Sequence, residues 1–129
     1  MANIAYIRVS TVEQHEDRQR AALEPYNIER WYVDKCSGKD TNRPHYKEMM
    51  DYIREGDTVY VEDFSRLSRS VADLLKILES FKEKGIRLVS LKENTDTNTP
   101  TGELFVTIVA AINQFERRNI LERQAEGIA

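Results

Sequence analysis

Cysteine is nearly absent from this sequence: Cys36 is the only one in 129 residues. A lone thiol excludes an internal disulfide and removes cysteine-built zinc sites. Histidine is almost as scarce, with His15 and His45 the only two, and their local patterns place both on exposed faces, which argues against serine–histidine catalysis. Glycine numbers five and none flanks Ser10, so neither a lipase-type nucleophile elbow nor a phosphate-cradling P-loop can be built there. No apolar run approaches the length of a membrane span, and residues 1–9 lack the basic-then-apolar form of a signal peptide. The expected compartment is therefore the cytoplasm, without membrane contact. Basic excess is missing as well. With 19 Lys and Arg against 22 Asp and Glu the net charge is −3, so contact with nucleic acid must come from a local cluster of arginines or from a part of the protein outside this sequence. There are no internal repeats and no low-complexity segments.

What is present suits one soluble globular domain: 40% hydrophobic and 32% charged residues in a length that can bury most of its apolar surface. Residues 3–9 form an apolar run bounded by a cap and predict a buried strand. Ser10-Thr11-Val12-Glu13 fits a capping box, and residues 11–23 predict a helix packed on one narrow face, closed by Pro25 and Asn27. Residues 30–34 predict a second strand, and residues 35–43 a surface loop of turn-forming residues. Pro44 suits a first helical turn, and Tyr46, Met49, Met50 and Ile53 recur at helical spacing over residues 44–54. A third strand is expected at 58–61. Ser70 with Asp73 caps a helix whose stripe of Val71, Leu74, Leu75 and Leu78 runs to Gly85. A fourth strand covers 86–91, and 92–100 reads as a threonine- and asparagine-rich loop. Thr99-Pro100 then opens a helix that continues to the end, striped by Leu104, Phe105, Ile108, Val109, Ile112 and Phe115. Such a helix outruns a domain of this size and must project or meet a partner.

Alternation of strand and helix defines an α/β fold: a mainly parallel four- to five-stranded sheet with flanking helices and a long C-terminal helix. In that architecture the loops leaving the carboxyl ends of the strands gather at one edge, where ligands bind. Here those loops carry Arg8 with Ser10, Arg43, and Arg66 with Arg69. Ser10 has two readings, a helix N-cap or a hydroxyl beside a helix N-terminus that meets a phosphate. The four arginines favour the second. A serine among guanidinium groups suits phosphoryl transfer without metal or cofactor, since arginines neutralise the non-bridging oxygens of the transition state. A carboxylate metal site has no ligand spacing to single it out; Asp63 beside the third strand is its best-placed candidate.

The sequence resembles the catalytic domain of the serine site-specific recombinases, the resolvase–invertase family. The likeness is carried by Tyr6-Ile7-Arg8-Val9-Ser10-Thr11 with Gln14 and Gln19, by Asp34-Lys35-Cys36-Ser37-Gly38 with Arg43, by Arg66-Leu67-Ser68-Arg69-Ser70, and by Phe115-Glu116-Arg117 with Ile120-Leu121-Glu122-Arg123. The resemblance implies that Ser10 attacks a DNA phosphate at a crossover site and is joined covalently to the 5′ end, with Arg8, Arg43, Arg66 and Arg69 as phosphate-binding groups. It also implies DNA contacts from Tyr6, Gln14, Gln19, Arg117 and Arg123, with Glu122 as an acid–base candidate. It further implies a homodimer that becomes a tetramer in the synaptic state. Residues 1–100 would be the catalytic core and 101–129 a helix for oligomerisation and DNA approach. Relatives continue into a separate DNA-binding domain, so the chain is expected to be an excised catalytic fragment. Two positions depart from the pattern: Ser65 stands where many relatives have aspartate, and Tyr52 where some have lysine, and no role is carried over to either. Two alternatives stay open, a non-enzymatic α/β dimerisation module and a metal-dependent nuclease. Arg43 closes a loop with little apolar surface to offset the entropy of ordering, so without DNA it is expected to stand apart from Ser10.

Overall fold

The computed structural model describes residues 1–9, 16–35, 43–68 and 70–128, apart from the side chains of 124–128. The elements run β1 (Asn3–Val9), α1 (Glu16–Leu23), β2 (Arg30–Lys35), α2 (Pro44–Tyr52), β3 (Thr58–Val61), a single 3-10 turn (Phe64–Arg66), α3 (Val71–Lys84), β4 (Arg87–Ser90), β5 (Thr95–Asp96) and α4 (Pro100–Ile128). The sheet order is β2-β1-β3-β4-β5. All neighbours pair in parallel except β4 with β5. Chain order therefore reverses direction between β1 and β3, and the carboxyl ends of these two strands frame the crevice where open α/β sheets bind ligands.

Strand alternation sorts the core into two layers. Ile4 and Tyr6 of β1 join Val59 and Val61 of β3 and Leu88 of β4 under α2, α3 and the start of α4. Ala5, Ile7 and Val9 face the other way and meet Leu23 of α1. Arg8 and Asp34 follow the same alternation as Ile4, Tyr6 and Tyr32, which puts both on the α2 side.

The helix ends carry the expected devices. The Ser70 hydroxyl accepts from the Asp73 N–H at 3.1 Å and Gly85 closes α3 at a φ of 74°, a conformation that costs glycine nothing. Within α3, Leu74, Ile77, Leu78 and Phe81 form the buried stripe. At α4 the Thr99 hydroxyl accepts from Gly102 N–H at 3.1 Å and donates to the Asp96 carbonyl at 2.7 Å. Gly102 is required there because a Cβ would collide with the main chain of Asp96 and Thr97.

One strand differs from the sequence expectation, and the α4 stripe is resolved further. Residues 92–100 are not only loop: Thr95 and Asp96 pair antiparallel with Ser90 and Val89. Side chains hold that strand, with Asp96 bridging bidentately to Arg87 and the Thr97 hydroxyl accepting from Leu88 N–H at 2.9 Å. The apolar stripe of α4 also splits into two faces. Val109 is buried, and Phe105 stacks on Phe64 with ring centroids 4.9 Å apart. Leu104, Ile108, Ile112 and Phe115 are exposed. At 29 residues α4 is about 43 Å long by the usual rise, and Val109 is its last buried residue among those described.

Candidate active site

Three arginines from three elements meet on one short turn. Arg8, one residue before the end of β1, donates from Nε to the carbonyl of Arg66 at 3.0 Å and from Nη2 to the carbonyl of Ser65 at 2.5 Å. Arg43, immediately before α2, donates from Nη1 to the carbonyl of Leu67 at 2.7 Å. Arg66 belongs to the turn itself. Three consecutive carbonyls after β3 thus fix the guanidinium groups of Arg8 and Arg43, and the turn is the common anchor of the group. It lies at the carboxyl ends of β1 and β3, the crevice set by the strand order.

Four of the supporting residues, Tyr6, Gln19, Asp34 and Asp63, are buried. Asp34, 3% exposed, accepts the Tyr6 hydroxyl at 2.9 Å and the main-chain N–H groups of His45 and Tyr46 at 3.1 and 2.9 Å. It therefore caps the first turn of α2 from a neighbouring strand, satisfying donors that the helix cannot. Arg43 lies over the Tyr46 ring at 4.1 Å, and Tyr6 meets the same ring edge-on at 5.6 Å. Gln19 of α1 donates to the Arg8 carbonyl at 3.2 Å, tying α1 to the strand end that leads into Ser10. On the turn, Asp63 accepts from the Ser65 hydroxyl and lies 3.8 Å from Arg66 Nε, and Phe64 N–H donates to Glu93 at 2.8 Å.

Measured against the sequence, Arg8, Arg43 and Arg66 come together. Ser10, Gln14 and Arg69 lie outside the described residues. Tyr6 and Gln19, expected to touch DNA, are instead each 0% exposed, their side chains engaged inside, on Asp34 and on the Arg8 main chain. Arg43 is only 6% exposed, and its expected separation from Ser10 lies outside the described residues. Its stacking on Tyr46 and its bond to Leu67 supply the ordering that loop composition alone could not. Arg117, Glu122 and Arg123 are exposed on the projecting part of α4, and the chain by itself does not bring them into the arginine group. Sequence reasoning assigned Asp34 no role and considered Asp63 only as a carboxylate for a metal site. Asp34 caps a helix that begins ten residues later in the chain, across a loop, and no local capping pattern could announce that.

Three guanidinium groups, those of Arg8 and Arg43 buried, gather on main-chain carbonyls at the switch point of a mostly parallel sheet, a concentration of positive charge of the kind that suits an anion with several oxygens. Among the described residues no group of three or more His, Cys, Asp or Glu is placed to hold a metal ion, and no helix is long and apolar enough to cross a membrane.

Comparison with known proteins identifies the class. Residues 3–129 match the family model described as the resolvase N-terminal domain. The Tn1721 transposon resolvase of Escherichia coli is 40% identical over 129 residues, covering 98% of this chain and 68% of the relative. The DNA-invertase hin of Salmonella typhimurium is also 40% identical, covering 100% of this chain and 68% of its own. The crystal structure of the N-terminal catalytic domain of TP901-1 integrase superposes with a TM-score of 0.74 at 34% identity, covering 90% of this chain and 97% of that one. A resolvase-family site-specific recombinase from Streptococcus pneumoniae shares the fold, with a TM-score of 0.73 at 23% identity over 98% of this chain and 95% of that one. This chain belongs to the resolvase family and spans its N-terminal domain.

Proposed function

We propose that the chain is the strand-cleaving part of a site-specific DNA recombinase in which Ser10 is the nucleophile. The observation that carries this reading is the meeting of Arg8, Arg43 and Arg66 on the 65–67 turn, beside the strand that leads into Ser10. An in-line displacement at phosphorus spreads charge over the non-bridging oxygens, where guanidinium forks stabilise it most. In the proposed step the Ser10 oxygen bonds to phosphorus, the bond from phosphorus to the 3′ oxygen breaks, and the proton lost by serine is matched by the one the leaving oxygen gains. The 5′ end remains on the protein as a phosphoserine ester that conserves the bond energy. Attack by the 3′ hydroxyl of an exchanged strand reverses the step and reseals the DNA. Arg69 is the fourth phosphate ligand in this scheme, and no metal or cofactor enters it. Gln14 and the exposed Arg117 and Arg123 are the DNA contacts, with Glu122 as the acid–base candidate. The exposed row of Leu104, Ile108, Ile112 and Phe115 is the face on which a second subunit packs, and two such dimers form the synaptic tetramer.

The test is a covalent adduct. With nicked duplexes of randomised central sequence, the wild-type chain is expected to yield a protein–DNA band on a denaturing gel that persists in excess EDTA, and Ser10→Ala to yield none. Loss of cleavage in EDTA would support a metal-dependent nuclease instead.

A further inference from the structure

We infer that Asp63 is a positioning residue of the reaction, holding the Arg66 guanidinium through charge and the 65–67 turn through the Ser65 hydroxyl. The inference rests on the recombinase reading above for its chemical consequence, but its geometry stands independently. Asp63 follows β3 by two residues and is 6% exposed. Burial of a carboxylate is costly unless it is paired and hydrogen-bonded, and this one is both. Its Oδ1 accepts from Ser65 Oγ, and its Oδ2 lies 3.8 Å from Arg66 Nε, with 8% and 17% of the two side chains exposed. Its carbonyl accepts from Arg66 N–H at 3.2 Å, so backbone and side chain of one residue grip the same turn at three points.

The consequence follows from what the turn carries. The carbonyls of Ser65, Arg66 and Leu67 anchor Arg8 and Arg43. A turn free to shift would move three guanidinium groups together, and an in-line displacement tolerates little misplacement of its stabilising groups. Asp63 also sets a negative charge against a group of cations that would otherwise repel one another. Ser65 gains a role from the same geometry. Its hydroxyl is the second attachment of the Asp63 carboxylate, which keeps Oδ2 facing Arg66.

Three variants separate the parts. Asp63→Asn keeps the shape and an acceptor for Ser65 but removes the charge, Ser65→Ala removes the hydroxyl link, and Arg66→Ala removes the group acted upon. On nicked duplexes of randomised centre, Asp63→Asn is expected to slow adduct formation by ten- to a hundredfold with little change in the DNA concentration at half-maximal rate. In the Arg66→Ala background it should cause no further loss, because the two act as one unit. A second readout needs no activity: the Arg66 Nε–Hε cross-peak in a nitrogen-15 NMR spectrum of the whole chain, expected to be sharp in wild type and shifted or exchange-broadened in Asp63→Asn. An unchanged cross-peak, or a variant adduct rate within twofold of wild type, overturns the inference. A wild-type chain that makes no adduct but shows the cross-peak change would overturn the recombinase reading and leave the Asp63–Arg66 positioning standing.

Discussion

At the residue scale, the arginine group is held in place by buried side chains around it. Asp34 satisfies three donors at once, one hydroxyl and two main-chain N–H groups. Asp34→Ala would leave buried donors without partners, a loss of roughly 3 kcal/mol of stability, readable as a lower urea midpoint. Tyr6→Phe removes one of those bonds alone and should cost about 1 kcal/mol. If Asp34→Ala lowered stability no more than Tyr6→Phe, the cap on α2 would not be holding Arg43 in place. The sequence revealed much at this scale. Arg8, Arg43 and Arg66 were legible because strand ends can be read from apolar runs, and loops that leave one sheet edge converge. Tyr6 and Gln19, which the family resemblance put against DNA, are buried because interior partners take their polar tips, and nothing in a linear pattern shows that.

At the element scale, the link between β5 and α4 rests on polar contacts, and this explains why β5 escaped detection. Residues 95 and 96 have no alternating apolar pattern; their pairing depends on the polar side chains of Arg87 and Thr97, which a search for apolar periodicity does not register. The same polar character gives a pH signature. The Arg87 guanidinium, through hydrogen bonding, holds the Asp96 carboxyl below its ordinary value of 3.8. A carboxylate whose folded value is depressed contributes stability that is fully present above the unfolded value and is lost as pH falls through the folded one. The fall in stability between neutrality and acid, over a window opening near 3.8 and extending below it, should therefore be smaller in Asp96→Asn than in wild type. Equal acid sensitivity of the two proteins would show that this pair does not secure β5. Gly102 is the other constrained position of this region. Gly102→Ala forces a Cβ into the main chain of Asp96 and Thr97, and overpacking of that kind costs about 1–3 kcal/mol, which would appear as a lower Tm.

At the scale of the whole molecule, one helix serves two surfaces. The inner face of α4, with Phe105 and Val109, belongs to the domain core, and the outer face of Leu104, Ile108, Ile112 and Phe115 does not. The sequence showed a single broad stripe and could not divide it, because both faces are apolar and helical spacing serves either partner. Ile112 is 44% exposed, so Ile112→Asp should leave the monomer folded and reduce self-association in sedimentation velocity by several-fold or more. Undiminished association would move the subunit interface elsewhere. The net charge of −3 bears on the same scale. Nonspecific DNA affinity follows the number of phosphates neutralised, so the 129 residues alone should bind duplex DNA weakly and lose that binding steeply with salt. Tight binding insensitive to salt would mean that these residues read DNA by themselves. The most direct measurement is peptide mapping of the protein–DNA adduct by mass spectrometry. The result expected is a single modified peptide carrying a nucleotide 5′-phosphate on Ser10, absent from Ser10→Ala. A nucleotide on any other residue, or an adduct that survives in Ser10→Ala, would contradict the assignment of the arginine group on the 65–67 turn to Ser10 as nucleophile.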